Sequence, residues 1–302
     1  MRALVMPSRN PEAASMQSRP VLTPWRAFRS RFWRHKLAVF GACVVVVLTL
    51  IAILADVIAP YDPNAIDLQL ARTGPSSSHL LGTDRAGRDV CSRLIHASRV
   101  SLSVGLVAVS IYLVIGTALG AVAGYSGGLT GAIIMRVTDM VMAFPALMLI
   151  LVIVGLVGPS IYNTMGVIGL LGWPPICRLV RAEFLSLRER DFVHAARTLG
   201  ATAPRIIFRH VLPNTVGILT VAATFGIASA ILLEAGLSFL GMGVQPPTAS
   251  WGNMLIDAQS LAILESMPWL WVPPGLMILI SILAINFMGD GLRDALDPKL
   301  RL

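Results

Sequence analysis

From residue 37 onward the chain reads as long apolar runs separated by short polar passages. A helix that crosses the roughly 30 Å hydrocarbon core of a bilayer needs about 20 apolar residues. Runs of that order fall near 37–58, 98–124, 131–157, 160–179, 214–242 and 269–289. The pattern predicts an all-α polytopic membrane protein with six transmembrane helices. The fourth run is the most interrupted, by Asn163, Trp173, Pro174 and Pro175. Proline in such helices is accommodated where neighbouring groups satisfy the freed carbonyl. The expected organisation is an N-terminal segment 1–36, a first helix 37–58, an outer loop 59–97, a five-helix core 98–290 and a tail 291–302.

One polar, basic passage breaks the core, Asp191 to Asn214, within a loop expected over 180–213. Phe192, Ala195, Ala196 and Leu199 fall at i, i+3, i+4 and i+7, one stripe of a short amphipathic helix. Asp191 is suited to cap its start and Gly200 to supply the left-handed residue that ends it. Thr202 and Pro204 signal a second helical start, with proline at or near the first helical position. A helix–Gly–helix unit carrying two alanines invites close docking by another protein. A basic loop lying on lipid is the alternative.

Charge then orients the chain. Eight of 24 Lys and Arg residues precede the first apolar run, seven more fall between 178 and 209, and three lie in the tail. Five (Arg72, Arg85, Arg88, Arg93 and Arg99) fall between, mixed with Asp62, Asp67, Asp84 and Asp89. The positive-inside rule puts both termini and the 191–213 loop in the cytoplasm. The basic balance therefore reflects membrane orientation and gives no sign of nucleic-acid binding. Trp25, Phe28, Phe32 and Trp33 suit an N-terminal amphipathic helix on membrane lipid. The first run is too long for a signal peptide and reads as an uncleaved anchor.

With 55% hydrophobic and 13% charged residues, no separate soluble domain is indicated. There is no phosphate-cradling loop with its lysine, no zinc-binding motif and no nucleophile elbow, so no catalytic residue, metal site or cofactor is expected. Cys43, Cys91 and Cys177 are odd in number and widely spaced. Gly124 to Gly131 reads as a tight turn between two runs. Ionisable residues at membrane depth are functional candidates by default. Arg136 and Asp139, three apart, are expected to pair on one helix face. Glu234 lies about 30 Å along the fifth run from Pro213 at ~1.5 Å per residue. It is a candidate for an outer gate or pore, with a hydrogen bond inside the bundle as the plainer alternative. Small residues of that run, among them Gly217, Ala222, Gly226 and Ser229, suit a pore wall, a subunit interface or ordinary packing.

Ala195, Ala196, Gly200, Leu212 and Pro213 stand at the spacing of the EAA loop, and on these residues the chain resembles the permeases of binding-protein-dependent ABC importers. His194 stands where that pattern has Glu, and His210 where it has Ile. Leu81 to Val90 with Ser92-Arg93, Gly241 to Thr248 with Trp251-Gly252, and the tail Asn286 to Pro298 are similar to peptide-importer permeases of the C-subunit type. The resemblance implies a type I importer permease fold in a bacterial inner membrane. It further implies a second homologous permease, two cytoplasmic ATP-binding subunits that hydrolyse the ATP, and an extracytoplasmic substrate-binding protein. Phe192, His194, Ala195, Ala196, Leu199, Gly200, Pro204 and Arg205 would form the coupling helix and its flank, contacting the ATPases. Di- or oligopeptides are the implied cargo, with nickel or glutathione as relatives' alternatives. An ion-coupled secondary transporter or a poreless scaffold are the readings outside this family.

Overall fold

The computed structural model describes residues 24–296. Their regular structure is helical, with no strand among the described residues beyond one isolated bridge, Thr83 to Asp89. Ten helices carry the architecture: α1 Pro24–Arg34, α2 Lys36–Ile53, α3 Val90–Ser126, α4 Gly128–Met142, α5 Ala146–Val157, α6 Ile161–Leu171, α7 Trp173–Leu187, α8 Asp191–Thr198, α9 Ala203–Phe239 and α10 Pro268–Leu296. Short helical turns fill the loop between α2 and α3 and the loop between α9 and α10. The expected segments 1–23 and 297–302 lie outside the described residues.

α2, α3, α9 and α10 are each long and apolar enough to cross a membrane alone. The run expected as one helix over 131–157 is instead α4 and α5, bent by 82° between Met142 and Ala146. Pro145 explains the break: it has no N–H to continue the ladder, and it drives Phe144 away from helical backbone. The run expected over 160–179 is likewise two short helices, 11 and 15 residues long. They meet at Gly172, and Pro174 and Pro175 fall in the first turn of α7, where a missing N–H does no harm. The described residues thus hold four membrane-length helices, or five when the bent pair counts as one.

α3 is the central post. Gly116, Gly120 and Gly124 repeat every four residues along it and face α7. A Cβ at Gly116 would sit 2.7 Å from Ile176 Cβ, at Gly120 2.6 Å from the Cys177 carbonyl, and at Gly124 2.6 Å from Phe184 Cβ. The helices touch backbone to side chain with no room for a methyl group, the close approach that drives association in lipid. Val180 and Phe184 are fully buried in the core this creates, with Ile150, Ile168 and Val104. A second core, of Ala97, Ile231, Trp251 and Ile285, lies at the other end of α3 and α9. α2 and α10 join through the same device, since a Cβ at Gly41 would meet the Ala284 carbonyl at 2.4 Å.

Asp139 pairs with Arg178 of α7 rather than with Arg136 one turn earlier on its own helix. The ion pair therefore braces α4 against α7.

Gly120→Val is expected to overpack this seam by about 1–3 kcal/mol or more, lowering the thermal unfolding midpoint in detergent. Gly155→Ala, at a helical position where a Cβ meets nothing within 4 Å, is expected to leave it unchanged or raise it.

Candidate functional site

The polar passage forms a short helix with a defined end. α8 begins at Asp191, and its N-cap is the extended residue Arg190, so Asp191 lies in the first turn and is not the cap. Its carboxylate still complements the N-terminal end of the helix dipole. At the far end Gly200 has φ +79°. Gly200 N–H donates to the Arg197 carbonyl at 2.9 Å and Ala201 N–H to the Ala196 carbonyl at 3.0 Å. This pair of bonds is the Schellman arrangement, which needs a left-handed residue at that position.

The faces of α8 differ from the expected stripe. Val193 and Ala196 turn inward, at 0% and 9% exposure, and pack with Ile206 and Val211. Phe192, Ala195 and Leu199 face out, Leu199 at 88%. Ala196 is thus a packing residue of this chain, and Ala195 alone of the two alanines is on the free face. Phe208, 68% exposed, adds an apolar group that the spacing argument overlooked. Pro204 and Arg205 are exposed beside it. His194 Nε2 lies 3.9 Å from Glu189 Oε2, and Arg188 donates to that carboxylate at 2.9 Å.

Besides the packing of Val193 and Ala196, the Arg197 guanidinium of α8 sits 5.6 Å above the Tyr125 ring, and Arg188, at the end of α7 just ahead of α8, donates through Nη1 to the Gly124 carbonyl at 3.4 Å. After Thr202 the chain enters α9, whose stretch Ile207–Val211 widens into a π turn. Pro213 follows at once; its ring would crowd the Arg209 carbonyl in a regular helix, and the wider turn relieves it. Asn214 Nδ2 donates to the His210 carbonyl at 2.6 Å, covering one carbonyl of that turn.

At the opposite end of α9, Glu234 is fully buried. Ser238 Oγ donates to its Oε1 at 2.7 Å, and Ser101 Oγ of α3 lies 3.4 Å from its Oε2. The same two hydroxyls accept from the loop beyond: Val244 N–H donates to Ser238 at 3.0 Å and Trp251 N–H to Ser101 at 3.1 Å. The carboxylate is thus the hub that fixes the α9–α10 loop to two helices, the bundle-interior hydrogen bond of the two expected alternatives.

The loop between α2 and α3 is knotted by its own motif. Asp84 accepts from the N–H groups of Ala86 and Arg88 and from Arg88 Nε at 2.7 Å. Asp89 caps α3 through Ser92 and lies 2.9 Å from His79. Buried Arg93 reaches the carbonyls of Pro63 and Pro247, joining the α2–α3 loop to the α9–α10 loop. Arg99 donates to the Ala52 and Ile53 carbonyls at the end of α2 and to Asp56. Its hydrogen bond, with that of His96, holds the Asp56 carboxyl below its ordinary range. Burial pushes Asp257 upward against the opposing pull of Arg85.

Residues 116–302 match the family described as binding-protein-dependent transport system inner membrane component, and residues 23–75 match the N-terminal TM domain of oligopeptide transport permease C. The chain belongs to this family of transport permeases. A putative peptide permease protein of Brucella suis biovar 1 is 46% identical over 287 residues, covering 95% of each chain. A di/tripeptide transport system permease protein of Pseudomonas aeruginosa is 44% identical, covering 92% of this chain and 93% of its own. A glutathione transport system permease protein of Pectobacterium atrosepticum is 40% identical over 95% of each. Among solved structures, an inward-facing form of the MetNI methionine ABC transporter aligns with TM-score 0.56 at 18% identity, over 68% of this chain and 96% of the other. That likeness supports the fold. This permease is accordingly a multi-pass integral protein of the inner membrane.

Ser238→Ala in this permease would strip a donor from a buried carboxylate and an acceptor from the Val244 N–H. The expected cost is about 1–3 kcal/mol, read as a lower unfolding midpoint in detergent. Glu234→Leu, which removes the hub, is expected to cost more than Ser238→Ala.

Proposed function

We propose that this permease is the pore-forming subunit of an ATP-driven importer that moves di- or oligopeptides into the cytoplasm. It acts with a second homologous permease, two cytoplasmic ATP-binding subunits and an extracytoplasmic binding protein. It is itself non-catalytic, and ATP hydrolysis belongs to the partner subunits. On this reading both termini and the segment from the end of α7 through α8 to Pro213 are cytoplasmic, the α2–α3 and α9–α10 loops face the binding protein, and the α4–α5 and α6–α7 pairs complete six crossings.

The observation that carries the coupling role is the free apolar face of α8. Phe192, Ala195 and Leu199 are exposed on a helix whose inner face is already filled, and which a glycine ends sharply. Small Ala195 between two larger apolar groups leaves a notch for a partner surface. α8 runs through Gly200 into α9, so a displacement of the docked helix is passed along a rigid rod into the membrane. Arg205 and Arg209, outside the packed face, supply positive charge beside the docked surface. Peptide cargo follows from the two peptide-permease relatives. Glutathione, itself a modified tripeptide, is the second reading, because a relative 40% identical over 95% of the chain carries that name.

The test is Ala195→Arg, and separately Leu199→Glu, in the assembled importer. Both side chains are exposed, so membrane level and thermal midpoint should stay as in the parent. Co-purification of the ATP-binding subunits and peptide uptake should fall at least tenfold. Retention of both would exclude α8 as the coupling element.

A further inference from the structure

Two cavities adjoin along one face of α9. The deeper, about 320 Å³, is walled by α3, α5, α6, α7 and α9, and its lining is almost wholly apolar. The second, about 550 Å³, lies between α7, α9 and α10 at the end of α9 that follows the polar loop. Ala222 and Phe225 line both. Asn214, Val221, Ala222, Phe225, Ser229 and Leu233 follow one another at intervals that stay on one side of a helix. From Asn214 to Leu233 this face runs about 28 Å at ~1.5 Å per residue, close to the ~30 Å of a bilayer core.

Charge in this groove is confined to one end. Glu183 of α7, half-buried, and Arg293 of α10, exposed, line the cavity next to the polar loop, with Asn214 between them in sequence order. They carry opposite charges on different helices, and no ion pair joins either to another described residue. The deeper cavity has only the Tyr112 and Ser229 hydroxyls as polar side-chain groups. A cavity of this size, mostly apolar with a few polar groups that converge, is the ordinary form of a small-molecule site.

We propose that this face of α9 is the permease's wall of the peptide path. Phe225 stands at the waist where the two cavities meet, and Glu183 and Arg293 at the inner mouth receive the ammonium and carboxylate ends of a zwitterionic short peptide. The inference rests on the peptide-importer reading above. The opposed charges fit a ligand that carries one charge of each sign, and the neutral stretch beyond accepts side chains without selecting among them. A free carboxylate and a free guanidinium each gain more from a charged partner in such a partly closed site than in open water.

The test uses the complete importer with Cys43, Cys91 and Cys177 replaced by Ser, labelled in inside-out vesicles and assayed for dialanine uptake in whole cells. Single cysteines are placed at Ala222, Phe225 and Ser229, with Val46→Cys as control; Val46 is 55% exposed in the middle of α2, away from the groove. A membrane-impermeant cationic thiol reagent should modify the three groove positions at least tenfold faster than position 46. Modification no faster than at position 46 would overturn the path. Glu183→Gln and Arg293→Gln should each lower dialanine uptake severalfold while ATP turnover stimulated by the loaded binding protein persists. The double reversal, Glu183→Arg with Arg293→Glu, should recover more uptake than either single reversal. Unchanged uptake in both single variants would overturn the mouth. Failure of the cysteine-free parent, with stimulated ATP turnover intact, to take up dialanine would instead sink the peptide reading, and the labelling rates, which need no cargo, would still decide the path.

Discussion

The spacing between α3 and α7 governs the rest of the molecule. In lipid there is no hydrophobic drive between helices, because the surrounding chains are as apolar as leucine. What holds the bundle is dispersion between surfaces brought unusually close, and Gly116, Gly120 and Gly124 set that closeness. With α7 seated there, its lower end delivers Arg188 to the Gly124 carbonyl and fixes where α8 begins. Its other end, kinked from α6 at Gly172, forms one side of the deeper cavity. One glycine-lined seam thus locates both the exposed helix and the groove.

α9 carries three distinct features along its length. Its first turns, widened by the π bulge ahead of Pro213, receive the α8 unit. Its middle forms the groove face, and its far end holds Glu234 and the serines that fasten the α9–α10 loop. Such a bulge is a usual place for a helix to change direction near a functional site. The buried network at the other end is stiff by contrast, since every polar group in it would be costly to leave unpaired. The helix is thus widened at the end that follows the polar loop and fastened by buried hydrogen bonds at the other.

The permease also leaves many large apolar side chains exposed. Phe192, Leu199 and Phe208 at one end, and many apolar side chains of α2 and α3 along the bundle, are exposed. Lipid accounts for those along the spans. The loop residues lie on a polar, basic segment, where lipid gives no such account, and they form the face proposed above to meet a partner subunit.

Length and apolarity of α2, α3, α9 and α10 were decided by composition, and the sequence alone was enough to find them, as it was to find Gly200 as a helix stop and the ordered motifs of the family. These are local properties: a run of apolar side chains, a φ that only glycine adopts without strain, a spacing. The tertiary structure alone decided which face each side turned. Val193 and Ala196 go inward because α9 packs there, a fact that the i, i+3, i+4 pattern of Phe192, Ala195, Ala196 and Leu199 does not contain. Asp139 meets Arg178, not Arg136, because α4 lies against α7. The bend at Pro145 and the break at Gly172 depend on neighbours that accept or refuse the kink, so apolar runs of the right length overstated two helices. Glu234 and Ser101 are 133 positions apart in the chain, and Glu183 and Arg293 reach one cavity from two different helices. Such meetings are set by helix packing over the whole bundle, and no local pattern records them.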